Sequence, residues 1–349
     1  MKAARLVQQG TPGTLEVSDV PRPVPAAGEA LVEVHACGLN HLDLWLEEGA
    51  LPVKVSLPRI PGGEVAGRIA ELGAGVKGWR EGDPVAVQSN LFCGECEFCR
   101  RGDESLCLFG ELLGIQRDGG FAEYVTVPSR ALVRIPGGVD FQTSAALTLA
   151  GSTAMHMLTN RTQVKPGDWV LAIGGASGVG SAAIQIAKGL GARVISTASS
   201  EAKRELALRL GADFVLEARE PGWPAEARKI TGRRGVDVIV EHVGGEVLGQ
   251  CFECLARGGT VVTCGATAGR DVMFKLWPFF VKQHRLVGSY GRNRADIEAV
   301  LAWAAEGKVK PVIDEVFSLE KTAEAFEKLR ARKVLGKVVI AVQPFALRI

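Results

Sequence analysis

Residues 168–290 alternate short apolar runs with helix-like stretches, and this alternation limits the possible folds more than any other feature of the chain. The first run, 169–173, is continuously apolar, as is typical of a strand that helices cover on both faces. Strands are predicted at 169–173, 193–197, 214–216, 236–240, 260–264 and 286–289, with helices at 181–190, 201–210, 224–231 and 247–255. The series predicts an α/β fold with a doubly wound parallel sheet.

A glycine-rich turn joins the first predicted strand to its helix. Glycines there let the backbone approach a pyrophosphate, whose charge the amides and dipole of a helix N-terminus stabilise. A glycine pattern alone is weak evidence, but this one follows a buried strand inside a complete βαβ series. The residues predicted to bind a dinucleotide are Gly175, Ser177, Gly178, Val179 and Gly180. The alternative is a turn whose glycines serve only the packing of helix on sheet.

The end of the second predicted strand indicates which dinucleotide is bound. An NAD site places a carboxylate there for the ribose hydroxyls, whereas this chain has Ala198, Ser199 and Ser200. Lys203 and Arg204 follow one helical turn later and can donate charge-assisted hydrogen bonds to a 2′-phosphate. We therefore expect NADP(H) as the cofactor. The alternative is that both cations are ordinary solvated helix residues.

Four cysteines, Cys93, Cys96, Cys99 and Cys107, have the spacing C-x2-C-x2-C-x7-C. Thiols so close in sequence can reach one tetrahedral point, and Zn²⁺ prefers four thiolates there. Such a site is coordinatively full, so it leaves no position for water or substrate. The spacing predicts one structural zinc ion in a lobe at about residues 90–110. A redox or disulfide cluster is the alternative.

Residues 1–150 have a different pattern, which is rich in β-structure. Strand-like segments at 31–34, 69–72, 84–87 and 121–127 are separated by turns that contain glycine and proline. The tail, 297–342, is predicted to return through an amphipathic helix and short strands to this first domain.

Composition and charge argue against several kinds of partner. The 349 residues carry a formal net charge of +2, with lysine and arginine spread along the chain. We therefore expect neither nucleic acid nor an anionic membrane surface as a partner. No apolar run reaches the roughly 18 residues that a membrane span needs, and the N-terminus does not read as a secretory signal. These features predict a cytoplasmic protein.

The four-cysteine lobe, followed by a nucleotide domain, resembles the medium-chain dehydrogenase/reductase superfamily over essentially the whole chain. The resemblance implies a GroES-like β-rich catalytic domain at 1–150 and 291–349, and a Rossmann domain at 151–290. It also implies a homodimer or homotetramer. The matching motifs include Gly38-Leu-Asn40-His-Leu-Asp43-Leu, Pro61-Gly62-Gly63-Glu64-Val-Ala-Gly67, Gly82-Asp83-Pro-Val and Gly336-Lys337-Val-Val.

Zinc alcohol dehydrogenases of this superfamily bind a second, catalytic zinc through Cys, His and either Cys or an acid. The corresponding positions of this chain are Asn40, Gly63 and Leu149. Without a Lewis acid to stabilise an alkoxide, we expect hydride addition to an activated C=C bond or a quinone. There the charge is delocalised, so amide and hydroxyl donors can stabilise it. The resemblance then implies the quinone oxidoreductase and enoyl reductase branch, with a hydrophobic or conjugated small-molecule substrate.

Three residues are catalytic candidates, and the resemblance implies the first of them. Asn40 is expected beside the nicotinamide ring, where it orients substrate or cofactor; the alternative is a turn-stabilising asparagine. His41 is a candidate proton donor because the pKa of histidine lies near neutrality. Tyr124 is a second candidate donor. The alternatives are a packed or solvent-bonded histidine and a core aromatic ring.

Further residues match positions that line or adjoin the cofactor site, with Thr153 expected at the carboxamide of the nicotinamide. The others are Gly265, Ser289 and Lys337. Arg292 and Arg294 follow the last predicted strand of the nucleotide domain. We expect them to be solvated, with contact to an anionic substrate tail as the alternative.

Two other functions stay open at this point. The first is a zinc-dependent alcohol dehydrogenase or carbonyl reductase with substitute ligands, drawn from His41, Asp43, Glu64 and His156. The second is a non-catalytic NADPH-binding protein of the zeta-crystallin type. A count of zinc ions tests the first, and binding without turnover indicates the second.

Overall fold

The computed structural model describes residues 1–343, which divide into two compact units. One unit comprises Met1–Leu149, Arg292–Ala305 and residues 311–343. The other comprises Ala150–Gly291 and Glu306–Lys310.

The strands are β1 (Lys2–Leu6), β2 (Leu15–Asp19), β3 (Glu29–Leu39), β4 (Glu64–Leu72), β5 (Pro84–Val87), β6 (Asn90–Leu91), β7 (Glu111–Leu112), β8 (Tyr124–Pro128), β9 (Leu132–Arg134), β10 (Trp169–Ala172), β11 (Arg193–Ala198), β12 (Phe214–Glu217), β13 (Val236–Glu241), β14 (Leu255–Thr263), β15 (Arg285–Gly288), β16 (Ile313–Ser318) and β17 (Lys337–Ala341). The α-helices are α1 (His41–Glu47), α2 (Glu97–Arg100), α3 (Phe141–Leu147), α4 (Ala150–Met155), α5 (Gly178–Gly189), α6 (Glu201–Arg209), α7 (Trp223–Ile230), α8 (Gly245–Cys254), α9 (Leu276–Val281), α10 (Arg294–Ala305) and α11 (Thr322–Arg330). A π-helical segment, His156–Arg161, follows α4. Short 3-10 turns lie at Glu104–Leu106, Ser129–Ala131 and Leu319–Lys321.

The first unit is built on one mixed sheet whose centre is β3. Within residues 1–343 its strand order is β16-β17-β3-β4-β5-β9, and β8 also pairs with β3. Because β3 is 11 residues long, one of its edges holds two partners. Residues 29–33 pair with β8, and residues 36–39 pair with β17. The end of β3 therefore lies beside the start of β17, and this pairing builds the site described below.

Buried side chains of the first unit pack on this sheet and on α11. Phe121 and Phe326 are among the largest fully buried side chains of the described residues. Their ring centroids are 6.0 Å apart in an edge-to-face arrangement, which is the geometry that aromatic quadrupoles favour. Phe121 lies ahead of β8, where a strand was predicted from 121 onward. Ala122 instead forms an isolated bridge with Ala3.

The second unit confirms the predicted doubly wound sheet. Its strand order over the described residues is β12-β11-β10-β13-β14-β15, and every pairing is parallel. The chain starts at a central strand, β10, winds outward on one side and then crosses to the other, which is the dinucleotide-fold order. Predicted strands and helices agree with the observed bounds to within a few residues, except that β14 begins at Leu255. The helices α4 and α9 were not predicted.

Gly62 shows how closely the first unit is packed near its predicted site. Its φ is +97°, in the left-handed region that favours glycine. A Cβ built there lies 2.9 Å from both Cys37 Sγ and Phe121 Cδ1. Gly75 has a similar φ of +81° but no atom within 4 Å of a built Cβ. The two glycines therefore share a backbone conformation and differ in their surroundings.

We expect Gly62→Ala to destabilise the protein by about 1–3 kcal/mol more than Gly75→Ala, because only the first substitution overpacks a buried contact. Both variants carry the cost of a left-handed alanine, about 1–2 kcal/mol. The measurement is urea denaturation of both variants and the parent. Equal losses in the two variants contradict the packing shown here.

Candidate functional site

The four predicted zinc ligands lie together in a lobe formed by β6, β7 and α2. All four sulfur atoms lie within 4.8 Å of one another. The separation is 3.4 Å for Cys96 and Cys99, 3.9 Å for Cys93 and Cys99, and 4.0 Å for Cys96 and Cys107. A tetrahedral ion with Zn–S bonds of about 2.3 Å requires sulfurs about 3.8 Å apart. The cluster therefore fits zinc.

Backbone amides of the lobe donate hydrogen bonds to the sulfurs. The amide of Cys93 donates to Cys107 Sγ at 3.2 Å, and the amide of Cys96 donates to Cys93 Sγ at 3.3 Å. Backbone hydrogen bonds from Cys99 and Leu108 lower the pKa of Cys96 to about 6, whereas burial raises the pKa of Cys99 to about 12. A divalent cation at the centre of the cluster would stabilise all four side chains as thiolates.

A buried ion pair lies where β3 ends and β17 begins. Lys337 Nζ is 2.7 Å from Glu64 Oε2, and the two side chains are 5% and 0% exposed. The ammonium also donates to Asn40 Oδ1 at 2.6 Å and to the Leu39 carbonyl at 2.7 Å. An ammonium has three N–H donors, so these acceptors use all of them.

The carboxylate of Glu64 connects this pair to two further segments. Its Oε2 accepts from Asn40 Nδ2 at 3.1 Å, and its Oε1 accepts from the Leu149 amide at 2.6 Å. Asn40 in turn precedes α1, where its amide donates to Asp43 Oδ2 at 2.9 Å. Asp43 Oδ1 accepts from the Gly62 amide at 3.1 Å, and burial raises the pKa of Asp43 to about 6.

The predicted catalytic residues are only partly brought together. Asn40 lies in the Lys337 network, and His41 is the next residue, exposed at the first position of α1. Tyr124 pairs with Glu33 in the β3–β8 register. Glu33 precedes Asn40 by seven residues, which is about 23 Å at about 3.3 Å per residue. The Arg22 guanidinium lies 4.6 Å from the centroid of the Tyr124 ring. All three catalytic assignments stay predictions.

The glycine-rich turn joins β10 to α5, a helix of 12 residues. Ser177 is the N-cap, and its Oγ accepts from the Gly180 amide at 2.9 Å. A Cβ at Gly175 would lie 2.1 Å from Ser196 Oγ, and one at Gly180 would lie 2.2 Å from the Gly174 carbonyl. Packing alone therefore requires these glycines. The first amides of a helix also lack intrahelical partners, so the turn can still hold a pyrophosphate through Gly178 and its neighbours.

The end of β11 has the residues that the NADP(H) prediction used. Ala198 is buried, Ser199 follows, and the Ser200 hydroxyl accepts from the Lys203 amide at 3.4 Å as the N-cap of α6. Arg204 donates to the Val215 carbonyl at 2.6 Å, so part of its guanidinium is already engaged inside the second unit.

Three of the other predicted cofactor residues lie at strand ends of the second unit or on α4, and the fourth lies in the first unit. Thr153 is buried on α4, and Ser289, which follows β15, is also buried. Gly265 follows β14, and a Cβ there would lie 2.5 Å from the His242 carbonyl. Lys337 belongs to the first unit, where its ammonium is used as described above. These assignments stay predictions.

Sequence reasoning missed two residues that shape the second unit near the turn. Glu241, fully buried, accepts from the amides of Val243 and Gly244 and from Thr263 Oγ1. His242 Nε2 lies 3.1 Å from Ser177 Oγ and 3.0 Å from the Ile173 carbonyl. Both follow the predicted strand 236–240, and only the rule that ligands bind at the carboxyl ends of parallel strands could have selected them.

The expectation that Arg292 is solvated was wrong. The residue is 4% exposed, and its guanidinium donates to Ser89 Oγ at 3.0 Å and Asn90 Oδ1 at 2.6 Å. Arg294 is partly exposed and pairs with Glu298 on α10 at 2.9 Å. The charge of Arg292 therefore serves the interior of the first unit beside β6.

Comparisons with known proteins identify the family. Residues 26–137 match the alcohol dehydrogenase GroES-like domain, and residues 178–306 match the zinc-binding dehydrogenase domain. An alcohol dehydrogenase of Geobacillus stearothermophilus is 35% identical over 346 residues, covering 98% of this chain and 100% of the relative. This chain belongs to the zinc-binding alcohol dehydrogenase family. The resemblance to the medium-chain dehydrogenase/reductase superfamily is thereby confirmed.

Two further relatives of the family carry more specific names. An NAD-dependent alcohol dehydrogenase of Sulfolobus acidocaldarius is 35% identical over 356 residues, covering 98% of this chain and 100% of the relative. A crystal structure of an NAD-dependent alcohol dehydrogenase has a TM-score of 0.93 at 38% identity, covering 98% of this chain and 100% of that one.

No helix within residues 1–343 is both long and apolar enough to cross a membrane.

These relatives overturn the expected reaction. The prediction of hydride addition to an activated C=C bond or quinone is wrong, because the relatives are named alcohol dehydrogenases. The error came from treating the loss of three metal-ligand positions as evidence for another reaction. The comparisons favour the alternative, an alcohol dehydrogenase or carbonyl reductase of the zinc-binding family.

The residues at the family's catalytic-zinc positions do not fit a metal ion. Asn40 presents an amide bonded to Lys337 and Glu64, Gly63 has no side chain, and Leu149 contributes its backbone amide. The substitute ligands proposed for the alternative do not come together either. Within residues 1–343, the four cysteines are the one group of three or more His, Cys, Asp or Glu side chains whose ligand atoms converge.

We expect the purified protein to hold one zinc ion per chain and Cys107→Ser to lose it, because a single cluster converges on a metal-sized point. Zinc is counted by atomic spectroscopy after dialysis, together with the melting temperature. Cys264→Ser, outside the cluster, is the control and should keep its zinc. A second tightly held ion contradicts the ligand analysis, and no zinc in the parent contradicts the cluster's role.

We expect Lys337→Met to lower the free energy of unfolding by about 3–5 kcal/mol, because it leaves the Glu64 carboxylate buried without a counter-charge. The double variant Lys337→Met/Glu64→Gln should be less destabilised, since it removes both charges. Urea denaturation gives both values.

The control for this prediction is Lys229→Met, which breaks an exposed ion pair with Glu226. Its effect should stay within about 0.5 kcal/mol. A loss of less than about 1 kcal/mol in Lys337→Met would contradict the buried network.

Proposed function

We propose that this chain interconverts an alcohol and its carbonyl compound with a nicotinamide dinucleotide, and that it prefers NADP(H). The observation that carries the proposal is the match of both units to alcohol dehydrogenase relatives along nearly the whole chain. The second unit supplies a dinucleotide fold with a glycine turn at a capped 12-residue helix.

The reaction assigns distinct tasks to the chain. Oxidation moves a hydride from the carbinol carbon to the nicotinamide ring, while the hydroxyl proton passes to a base; reduction reverses both steps. The glycine turn and α5 would hold the pyrophosphate. His41, exposed at the start of α1, remains the predicted residue for the proton. The hydrogen bonds of Lys337 and Glu64 would fix the positions of Asn40, which precedes α1, and of the backbone at Leu149.

The preference for NADP(H) goes beyond the relatives, several of which are named NAD-dependent. It is supported by the end of β11, where Ala198 and two serines leave no carboxylate to repel a 2′-phosphate. The next acid along the chain is Glu201, whose side chain is 75% exposed. Its Oε2 lies 3.8 Å from Arg204 Nε. Lys203 on the same helix can approach a bound phosphate as a point charge.

Assembly into a homodimer or homotetramer stays a prediction. It is supported by an apolar surface on the second unit, formed by α9 and β15. The exposed residues are Leu276, Trp277, Phe280, Val281 and Leu286. Within the described chain β15 is an edge strand, and an apolar edge of this kind favours pairing with a second copy.

We expect the protein to oxidise hydrophobic alcohols and reduce the matching ketones or aldehydes with a higher kcat/KM for NADP(H) than for NAD(H). Lys203→Ala should lower kcat/KM for NADP(H) about tenfold, the effect of one charge-assisted hydrogen bond, and leave NAD(H) unchanged. Steady-state kinetics on a panel of alcohols, carbonyl compounds, enones and quinones gives both values. Arg209→Ala, on the same helix, is the matched control.

Each part of the proposal can fail separately. A preference for NAD(H) contradicts the cofactor assignment and leaves the reaction standing. Turnover of enones or quinones with no alcohol or carbonyl turnover contradicts the reaction. Tight binding of NADP(H) without turnover of any panel member supports the non-catalytic alternative instead.

A further inference from the structure

We propose that His242 is a positioning residue for the dinucleotide, which holds the Ser177 hydroxyl so that its proton points to the pyrophosphate. The inference rests on the proposed function, because it presumes a dinucleotide at the glycine turn. The His242 ring would act through Ser177 and not through contact with the reacting atoms.

We assign the hydrogen of the His242 ring to Nε2 from the partners of that nitrogen. Nε2 lies 3.0 Å from the Ile173 carbonyl and 3.1 Å from Ser177 Oγ. A carbonyl oxygen can only accept, so Nε2 must carry the hydrogen. A protonated ring nitrogen has no lone pair left, so it cannot accept from Ser177. The single N–H is therefore shared between the carbonyl and the hydroxyl oxygen.

The partners of the Ser177 hydroxyl likewise determine which of its hydrogen-bonding positions are used. Its oxygen accepts from the Gly180 amide at 2.9 Å and from the His242 ring. A hydroxyl has two lone pairs and one hydrogen, so both lone pairs are used and the hydrogen remains to donate. The hydroxyl caps α5, where the helix amides also point toward an anion. An oxygen of the pyrophosphate is the acceptor that this arrangement suits.

The surroundings of the His242 ring hold it in position to donate to Ser177. His242 follows Glu241, whose buried carboxylate is fixed by three hydrogen bonds. A Cβ at Gly265 would lie 2.5 Å from the His242 carbonyl, and one at Gly174 would lie 3.4 Å from ring Cε1. Burial lowers the pKa of His242, so the ring is neutral near pH 7 and carries one N–H.

The test compares His242→Leu with His242→Gln, because the glutamine Nε2 amide can replace the ring Nε2–H and leucine cannot. Isothermal titration gives the Kd for NADP⁺, NAD⁺ and ADP-ribose, which keeps the pyrophosphate and lacks nicotinamide. We expect His242→Leu to raise all three Kd values about tenfold and His242→Gln to restore most of the loss. The melting temperature of each variant monitors the fold.

A double-mutant cycle separates positioning from a purely structural role. Ser177→Gly removes the hydroxyl while keeping a good N-cap residue. In that background His242→Leu should change Kd much less than in the parent, because its effect passes through the missing hydroxyl. Additive effects, or a lower melting temperature with unchanged Kd, overturn the inference.

The same titrations distinguish the two proposals. A parent protein that binds dinucleotide while His242→Leu binds it equally well contradicts the inference alone. A parent that binds none of the three ligands contradicts the proposed function and the inference with it.

Discussion

The buried Lys337–Glu64 pair is the interaction on which the first unit's site depends. Four segments meet at it: the end of β3, the start of β4, the start of β17 and the chain at Leu149. A buried charge is tolerated only when it is paired and its hydrogen-bonding capacity is used. Gly38 shows how little room remains, since a Cβ there would lie 2.2 Å from Glu64 Oε2. The residue types at Gly38-Leu-Asn40 are therefore constrained by packing against Glu64, which is distant from them in sequence.

Much of the fold could be predicted because its signals are local and periodic. The strand β10 is a continuous apolar run, and the helices α5 and α6 begin at good caps, Ser177 and Ser200. The elements that were missed lack such signals. The helices α4 and α9 have six residues each, too few to show helical periodicity, and the segment ahead of β8 is buried without pairing as a strand. Tertiary packing decides these cases.

The residues of the candidate site also divide into those that local sequence predicts and those that it does not. The four cysteines and the glycine turn lie close together in sequence, so their spacing alone predicted their neighbourhood. Asn40 and Lys337 are 297 residues apart, and Ser177 and His242 are 65 apart. No rule on sequence spacing predicts that such residues are neighbours. The pairing of β3 with β17 and of β10 with β13 brings them together. Arg292 was misjudged for the same reason, because its partners lie more than 200 residues away.

The replacement of metal ligands by this network does not make Lys337 a substitute for the metal in the reaction. A zinc ion can polarise a substrate oxygen because it keeps an open coordination position. The Lys337 ammonium has no equivalent position, since its three N–H groups already bond Leu39, Asn40 and Glu64. Asn40 is held in the same way through both ends of its amide. Stabilising charge on a substrate oxygen therefore requires donors outside this network, and the network itself fixes the backbone around α1.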